Sequence, residues 1–239
     1  MIYAVGIGPG GRETMTYEAM KAIEQSDVIV GYKTYIDLVE DLVKDKKVVS
    51  NGMKQETDRV KKAVEISKTG KTVSVISSGD AGVYGMAGLV LELSEDEEVR
   101  IISGVTASTA AASVLGAPLM HDFCHISLSD LLTPLSLIYK RIELASKGDF
   151  VICIYNPRSK GRPDYLKDAF GIMKKYKAGS TPVGIVKNAC RENQEVRICT
   201  MDTIDYESVD MLSIVIVGNS STYVKNNRII TKRGYETKY

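Results

Sequence analysis

Tryptophan is absent from the 239-residue sequence, and histidine and cysteine are scarce, with two and four residues. A metal site built on His121 and His125 would need both residues and added carboxylates, and no two cysteines have the C-x-x-C spacing of a structural zinc site. Cys153 and Cys199 lie within apolar segments, so we expect them to be reduced, buried side chains. The sequence therefore predicts no metal site and no redox centre.

An excess of charge of one sign is also missing. Lys and Arg total 31 against 30 Asp and Glu, a formal net charge of +1, which argues against a nucleic acid as the main partner. Apolar stretches run for about six to eight residues, and a membrane helix needs about 20. The N-terminus lacks a basic region followed by an apolar stretch. We therefore expect a cytoplasmic protein that contacts no membrane.

The first half of the sequence alternates short β-branched runs with segments of helical periodicity. The predicted strands are Ile2–Ile7, Val28–Val30, Thr72–Ser77 and Val99–Ser103. The predicted helices are Thr16–Gln25, with Thr16 as its cap, Lys54–Lys68 and Ala107–Leu115. This order predicts an α/β fold with a mostly parallel sheet and helices on its faces.

The second half has a different rhythm, with more strands that follow one another directly. It begins with an irregular segment, His121–Pro134. The predicted helices are Leu135–Lys147 and Asp164–Tyr176, and the predicted strands are Asp149–Tyr155, Pro182–Val186, Val196–Met201 and Leu212–Val217. Adjacent strands favour antiparallel pairing, so we expect a mixed sheet here. We place one α/β domain over residues 1–117 and a second over 118–239.

Glycines follow the first predicted strand. Gly6, Gly8 and Gly11 formally satisfy the G-x-G-x-x-G pattern of dinucleotide-binding folds. Pro9 interrupts that pattern, and no acidic residue follows the second strand after Val30. The pattern therefore indicates either a tight turn or a ligand loop, and it disfavours a dinucleotide site.

Two further strand ends carry small residues. The segment 77–85 reads SSGDAGVYG, and the segment 104–108 reads GVTAS. Glycines let a ligand approach the backbone closely, and open α/β sheets bind ligands at the carboxyl ends of their strands. We expect the two loops to share one pocket, in which Asp80 either accepts hydrogen bonds from a ligand or caps the next helix.

These motifs together resemble a known family. GIGPG, SGDAGVYG, GVTAS and IYNPRS, in that order, are similar to the tetrapyrrole (corrin/porphyrin) methylases, and the resemblance covers nearly the whole chain. It implies two α/β domains with a cleft between them, a homodimer, and S-adenosylmethionine as methyl donor. Within the family, HDFCHISLSDLLTP and MLSIVIVGNSST resemble members that methylate a precorrin-3-type macrocycle at C-17, with ring contraction, in cobalamin biosynthesis.

The resemblance also implies cofactor contacts, which carry over residue by residue. They are Pro9, Ser78, Gly79, Asp80, Val83, Thr106, Ala107, Asn156 and Ala189. Many relatives have methionine in place of Asn156 and glycine in place of Ala189, so only backbone contacts are expected to persist at these two positions.

Ring contraction needs proton transfers, and the segment 121–130 carries groups that could perform them. His121 and Asp130 are the candidate catalytic residues, since histidine donates or accepts protons near neutral pH. Ser127 and Ser129 could bind the carboxylate arms of the substrate. The alternative is a polar loop in which Asp130 caps the following helix.

Cations could bind the same carboxylate arms. Arg59, beside the Gly52–Met53 segment, either binds a substrate carboxylate or pairs with Glu56 at i,i+3 spacing. Arg158 is a further candidate, with Lys160 and Arg162, unless these three form a solvated surface run.

Other functions remain open at this point. The same fold would serve a diphthamide-type protein methyltransferase or an rRNA ribose methylase. Less favoured are a dinucleotide-binding oxidoreductase and a binding module without activity. The expected partner is a small-molecule tetrapyrrole, with or without cobalt.

Overall fold

The computed structural model describes residues 1–52 and 55–235. Contacts along the chain divide it into two compact units, Met1–Ala107 and a second that begins at Ser108. The boundary predicted from the sequence, after residue 117, lies further along the chain, next to Gly116 and Pro118.

The first unit is built around a parallel sheet. Its strands are β1 (Ile2–Gly6), β2 (Val28–Tyr32), β3 (Lys47–Asn51), β4 (Val73–Ser77) and β5 (Val99–Ile102). They lie in the order β3-β2-β4-β1-β5, and each neighbouring pair is parallel. Its helices are α1 (Tyr17–Gln25), α2 (Lys33–Asp37), α3 (Glu40–Val43), α4 (Glu56–Ser67) and α5 (Ala87–Leu93). As a result, all five strands end at the same edge of the sheet.

The central strands of this sheet are fully buried because helices cover both faces. Every residue of β1 and β4 is buried. One apolar cluster packs α4 and α5 against one face of the sheet, and a second packs α1 against the other. Thr16 caps α1 as predicted, since its side chain accepts a hydrogen bond from Ala19 N. The predicted start of the next helix at Lys54 lies outside the described residues.

The second unit contains a mixed sheet. The boundary falls after the first residue of α6 (Ala107–Leu115). The elements that follow α6 are β6 (Gly116–Ala117), β7 (Phe123–Ser127), α7 (Leu135–Lys147), β8 (Val151–Tyr155), α8 (Tyr165–Met173), β9 (Pro182–Lys187), β10 (Glu195–Thr200), β11 (Ser213–Val217), β12 (Thr222–Lys225) and β13 (Arg228–Thr231). The main sheet has the order β10-β9-β11-β8-β7, and a small one has the order β12-β13-β6. In the main sheet β7 and β8 are parallel and the other pairs are antiparallel, which confirms the expected mixed sheet.

Two expectations about this unit need correction. The segment His121–Pro134 is not irregular throughout, because β7 lies within it and pairs with β8. Cys153 is fully buried, but Cys199 is only partly buried because β10 is an edge strand of the sheet. Burial raises the pKa of the Cys153 thiol to about 12, so it is an unreactive thiol at neutral pH.

Neither a membrane-spanning helix nor a metal-binding cluster occurs among the described residues. No helix among them is long and apolar enough to cross a membrane. Within residues 1–52 and 55–235, no group of three or more His, Cys, Asp or Glu side chains is placed to hold a metal ion.

Candidate functional site

Three loops meet at the carboxyl edge of the first unit's sheet. Gly8 N donates to Gly79 O at 3.0 Å, and Gly79 N donates to Gly8 O at 2.8 Å, so the loops after β1 and β4 form a backbone bridge. Both glycines have a φ of +74°, which L side chains rarely adopt. A Cβ at Gly6 would lie 2.8 Å from Gly104 N, so the loop after β5 packs against the same point.

Asp80 ties two of these loops together. One carboxylate oxygen, Oδ1, accepts from Gly82 N at 2.8 Å and from Val83 N at 3.1 Å. The other, Oδ2, accepts from Gly104 N at 2.9 Å, across to the loop after β5. Asp80 does not cap α5, which begins after Met86. The carboxylate therefore fixes the shape of both loops.

The cofactor residues predicted in the first unit lie together on these loops. A Cβ at Gly79 would lie 3.7 Å from Ala107 N and 3.9 Å from Thr106 Cα, so the segments around Gly79 and Thr106 are in contact range. Pro9, Ser78 and Val83 lie on the loops that the Gly8 bridge and Asp80 hold.

The first unit also holds a buried hydroxyl without a hydrogen-bond partner among the described residues. It is Ser77 Oγ, at the last position of β4. An unsatisfied buried polar atom is unusual and points to a bound water or ligand. Together with the backbone at Gly79, where the atom nearest to an added Cβ would be 3.7 Å away, this fits a polar ligand that binds close to the main chain.

The second unit has a comparable edge. Since β8 and β9 both run antiparallel to β11, and β7 is parallel to β8, the carboxyl ends of β7, β8 and β9 lie at one edge. The residues after β8 and β9 include Asn156, Asn188 and Cys190, with φ values of 50°, 52° and 61°. Positive φ is costly outside glycine and is concentrated at functional sites. Ala189 lies between two of these residues.

Most of the polar residues predicted for the second unit lie at this edge. Asn156 Nδ2 donates to Ser127 Oγ at 2.9 Å, and Ser129 N donates to the same oxygen at 3.2 Å. Asp130 Oδ2 accepts from Tyr165 OH at 2.8 Å. Asp130 does not cap α7, where Pro134 precedes the first turn and no side chain caps it.

The two histidines have different surroundings. His121 is exposed and lies before β7, at the opposite end of that strand from Ser127, so the structure does not bring it together with Asp130. Its Nδ1 accepts from Asp122 N at 2.9 Å. The catalytic role of His121 stays a prediction.

His125 lies in the middle of β7 and contacts buried groups of the second unit. Its Nε2 is 2.8 Å from Ser108 Oγ, and its ring lies 5.4 Å from that of Tyr155. Ser108 N donates to Tyr155 OH at 3.0 Å. Burial lowers the pKa of His125, so the imidazole is neutral at pH 7. Sequence reasoning missed this cluster because only the fold brings α6, β7 and β8 together.

The arginines have partners within the protein. Arg59 is buried, and its Nε and Nη2 donate to Asn51 Oδ1 at 2.8 Å and Gly52 O at 3.0 Å. Met53, of the neighbouring motif, lies outside the described residues. Arg158 forms an ion pair with Glu207 at 2.5 Å, between Nη2 and Oε2. Both side chains therefore hold loops at strand ends, whatever else they bind.

A parallel sheet with interlocked glycine loops in the first unit and a mixed sheet in the second define a class of protein, which comparison with known families identifies. The family model "Tetrapyrrole (Corrin/Porphyrin) Methylases" matches residues 1–205, and this chain belongs to that family.

Individual relatives match over nearly the whole chain. The "Probable cobalt-factor III C(17)-methyltransferase" of Salmonella typhimurium strain LT2 is 54% identical and covers 98% of this chain and 99% of its own. The "Precorrin-3B C(17)-methyltransferase" of Sinorhizobium sp is 36% identical, with 93% of this chain and 90% of its own covered. The crystal structure of the methyltransferase CobJ superposes with a TM-score of 0.92 at 32% identity, covering 97% of this chain and 99% of CobJ.

Proposed function

We propose that this protein transfers a methyl group from S-adenosylmethionine to C-17 of a precorrin-3-type macrocycle, with ring contraction, in cobalamin biosynthesis. The observation that carries the proposal is the interlocked set of glycine loops, clamped by Asp80 at one sheet edge. Relatives similar over nearly the whole chain are named as C(17)-methyltransferases. These names favour the proposal over a diphthamide-type or rRNA methylase and over a dinucleotide-binding oxidoreductase.

The first unit supplies the groups that fit the methyl donor. Side chains are small or absent at Ser78, Gly79, Thr106 and Ala107, so a ligand can approach the loop backbone closely. Val83 offers apolar contact, and Pro9 stiffens the loop after β1. We propose that Asn156 and Ala189 of the second unit also contact S-adenosylmethionine, through their backbone.

Methyl transfer needs little covalent help from the protein. The bond between the sulfonium and its methyl group breaks as the bond to the macrocycle carbon forms, and the donor leaves as a neutral thioether. Catalysis then comes mainly from holding donor and acceptor in line. Rigid loops serve this purpose, which explains why a largely neutral, glycine-rich site suffices.

Ring contraction requires protons to move, and we assign this work to the second unit. His121 and Asp130 are the proposed acid–base residues, with Ser127 and Ser129 binding the carboxylate arms of the substrate. Arg158 and Arg59 are proposed as further anion-binding residues. The hydrogen bond from Tyr165 to Asp130 holds that carboxyl group in place.

Cobalt in the substrate and the assembly state belong to the same proposal. We propose a cobalt-bearing substrate, because the relative named for cobalt-factor III is 54% identical and the one named for precorrin-3B is 36% identical. We also propose that the protein is cytoplasmic, and we propose a homodimer from the family resemblance. Sedimentation of the purified protein tests the dimer, since a monomer at micromolar concentration would contradict it.

The function is tested in two parallel reactions of the protein with S-adenosylmethionine, one with cobalt-factor III and one with metal-free precorrin-3B. We expect the cobalt substrate to be methylated, with an absorption change as the ring contracts. Turnover of the metal-free substrate alone would correct the substrate, and turnover of neither would contradict the function.

A further inference from the structure

An apolar platform stands on the carboxyl edge of the second unit's sheet. Leu132 and Leu131, which follow β7, are 98% and 67% exposed, and Met211 and Leu212, which precede β11, are 41% and 53% exposed. Single exposed apolar side chains are common, but a cluster of them marks an interaction site. We call these four residues the leucine platform.

The platform is held in place rather than loosely attached. Leu128 lies at the start of the loop that follows β7 and carries Leu131 and Leu132. It is buried, and its N–H donates to Tyr155 O at 2.9 Å. Its carbonyl accepts from Arg162 Nη1 at 2.6 Å. The loop therefore displays Leu131 and Leu132 on a rigid base, as a preformed binding surface would require.

Arg162 also connects the two parts of the platform. Its Nη2 lies 3.5 Å from Met211 Sδ, and its Nε lies 3.9 Å from Asp130 Oδ1. In the second segment, Leu212 O accepts a hydrogen bond from Asn188 N at 3.1 Å. Asn188 precedes Ala189, which is a proposed contact of S-adenosylmethionine. The two apolar segments are thus joined through one guanidinium and belong to one surface.

We propose that the leucine platform binds a flat face of the tetrapyrrole macrocycle, which rests on the proposed function. A tetrapyrrole has apolar faces and carboxylate arms at its rim. Lys160 is exposed at the tip of the turn that the Ser159–Arg162 bridge closes, and within the described residues it makes no ion pair. An apolar surface beside a free ammonium group complements such a ligand.

A second copy of the chain is a weaker candidate for the same surface. Four side chains amount to a few hundred Å² at most, and a stable interface buries about 800 Å² on each partner. The platform has the size of a small-molecule surface, and the hydrogen-bonded polar pair Ser127 and Asn156 lies at the same edge of the sheet.

The test replaces the leucines without touching the acid–base or donor residues. The double variant Leu131→Ser, Leu132→Ser is compared with Leu144→Ser, an exposed leucine (58%) on α7 of the same unit. We expect the Michaelis constant for cobalt-factor III to rise about tenfold or more in the double variant, from the loss of apolar contact. The affinity for S-adenosylmethionine, measured by calorimetry, should be unchanged, and Leu144→Ser should behave as the wild type.

Each other outcome has a definite meaning. A double variant with the Michaelis constant of the wild type overturns the platform but leaves the function standing. If the wild type sediments as a dimer and the double variant as a monomer with the substrate affinity of the wild type, the surface binds a second copy of the chain. That result also overturns the proposal. Absence of turnover in the wild type contradicts the function itself. The variant Leu132→Met, which keeps an apolar side chain, should retain substrate affinity.

Discussion

The carboxylate of Asp80 shapes the first unit's binding edge through three backbone hydrogen bonds. The sequence offered two roles for it, a direct acceptor for the ligand or a helix cap. The observed role, a clamp between two loops, depends on Gly104 being adjacent in space and could not be read from the sequence.

We predict that Asp80→Ala weakens S-adenosylmethionine binding without unfolding the protein. Three N–H groups lose their charged acceptor, and the two loops lose their alignment, at a cost in binding of about 1.5–3 kcal/mol. Calorimetry measures the affinity, with Glu92→Ala on the exposed face of α5 as control. Unchanged affinity in a folded Asp80→Ala protein would rule out the clamp as a determinant of binding.

The two histidines can be separated by mutation. If His121 serves the macrocycle, His121→Ala should leave S-adenosylmethionine affinity within about threefold and slow turnover by ~10² or more, or release a methylated product that has not contracted. His125→Ala is the matched comparison, because that residue contacts Ser108, next to Ala107. Normal turnover of His121→Ala would assign the proton transfers to another group or to water.

His125 also makes stability depend on pH. Burial lowers its pKa below the ordinary value of 6.5, so the unfolded chain binds the proton more tightly than the folded one. The contribution is fully present above that value and is lost as the pH falls below about 6.5. Denaturation of the wild type and His125→Gln from pH 8 to pH 5 should show a steeper acid loss in the wild type. Parallel curves would contradict this assignment.

At the scale of elements, the burial of a strand determined whether it could be predicted from the sequence. The fully buried strands β1, β4, β8 and β11 have mostly apolar sequences, and the sequence predicts each of them to within one or two residues. Most of the strands that were missed are exposed or lie at edges, and the exception is β13, the middle strand of the small sheet. In β3, β7 and β12 most residues are partly or fully exposed, so lysine, histidine and threonine interrupt the apolar pattern.

The candidate site was predictable in part, for a related reason. Glycine loops after consecutive parallel strands must end at one edge, and that rule placed Gly79 near Thr106. The cluster of Ser108, His125 and Tyr155 has no comparable signal, since no spacing in the sequence relates α6 to β7 and β8.

The packing of the loops after β1, β4 and β5 gives an element-scale prediction. A Cβ at Gly104 would overlap the carbonyl groups of Gly79 and Gly6. Gly104→Ala should therefore lower the free energy of unfolding by about 1–3 kcal/mol and weaken donor binding. Gly88→Ala, in the exposed face of α5 with no atom within 4 Å of the added Cβ, should instead stabilise by about 0.5–1 kcal/mol. Equal effects of the two changes in urea denaturation would contradict the packing argument.

At the scale of the whole molecule, the reaction should not depend on thiols. Burial raises the pKa of Cys124 to about 11 and that of Cys153 to about 12, and neither supplies a thiolate at neutral pH. A variant with all four cysteines changed to serine should be less stable, because β8 then buries a hydroxyl at position 153. If folded, it should still methylate, and an inactive folded variant would reveal a thiol role.

The most direct test of the account follows a labelled methyl group. The protein is incubated with S-adenosylmethionine that carries ¹³C in its methyl group and with cobalt-factor III, and the product is examined by NMR. We predict one labelled methyl group bonded to C-17 of a contracted macrocycle. Label at another ring position, or no transfer from a donor that binds, would contradict the central claim.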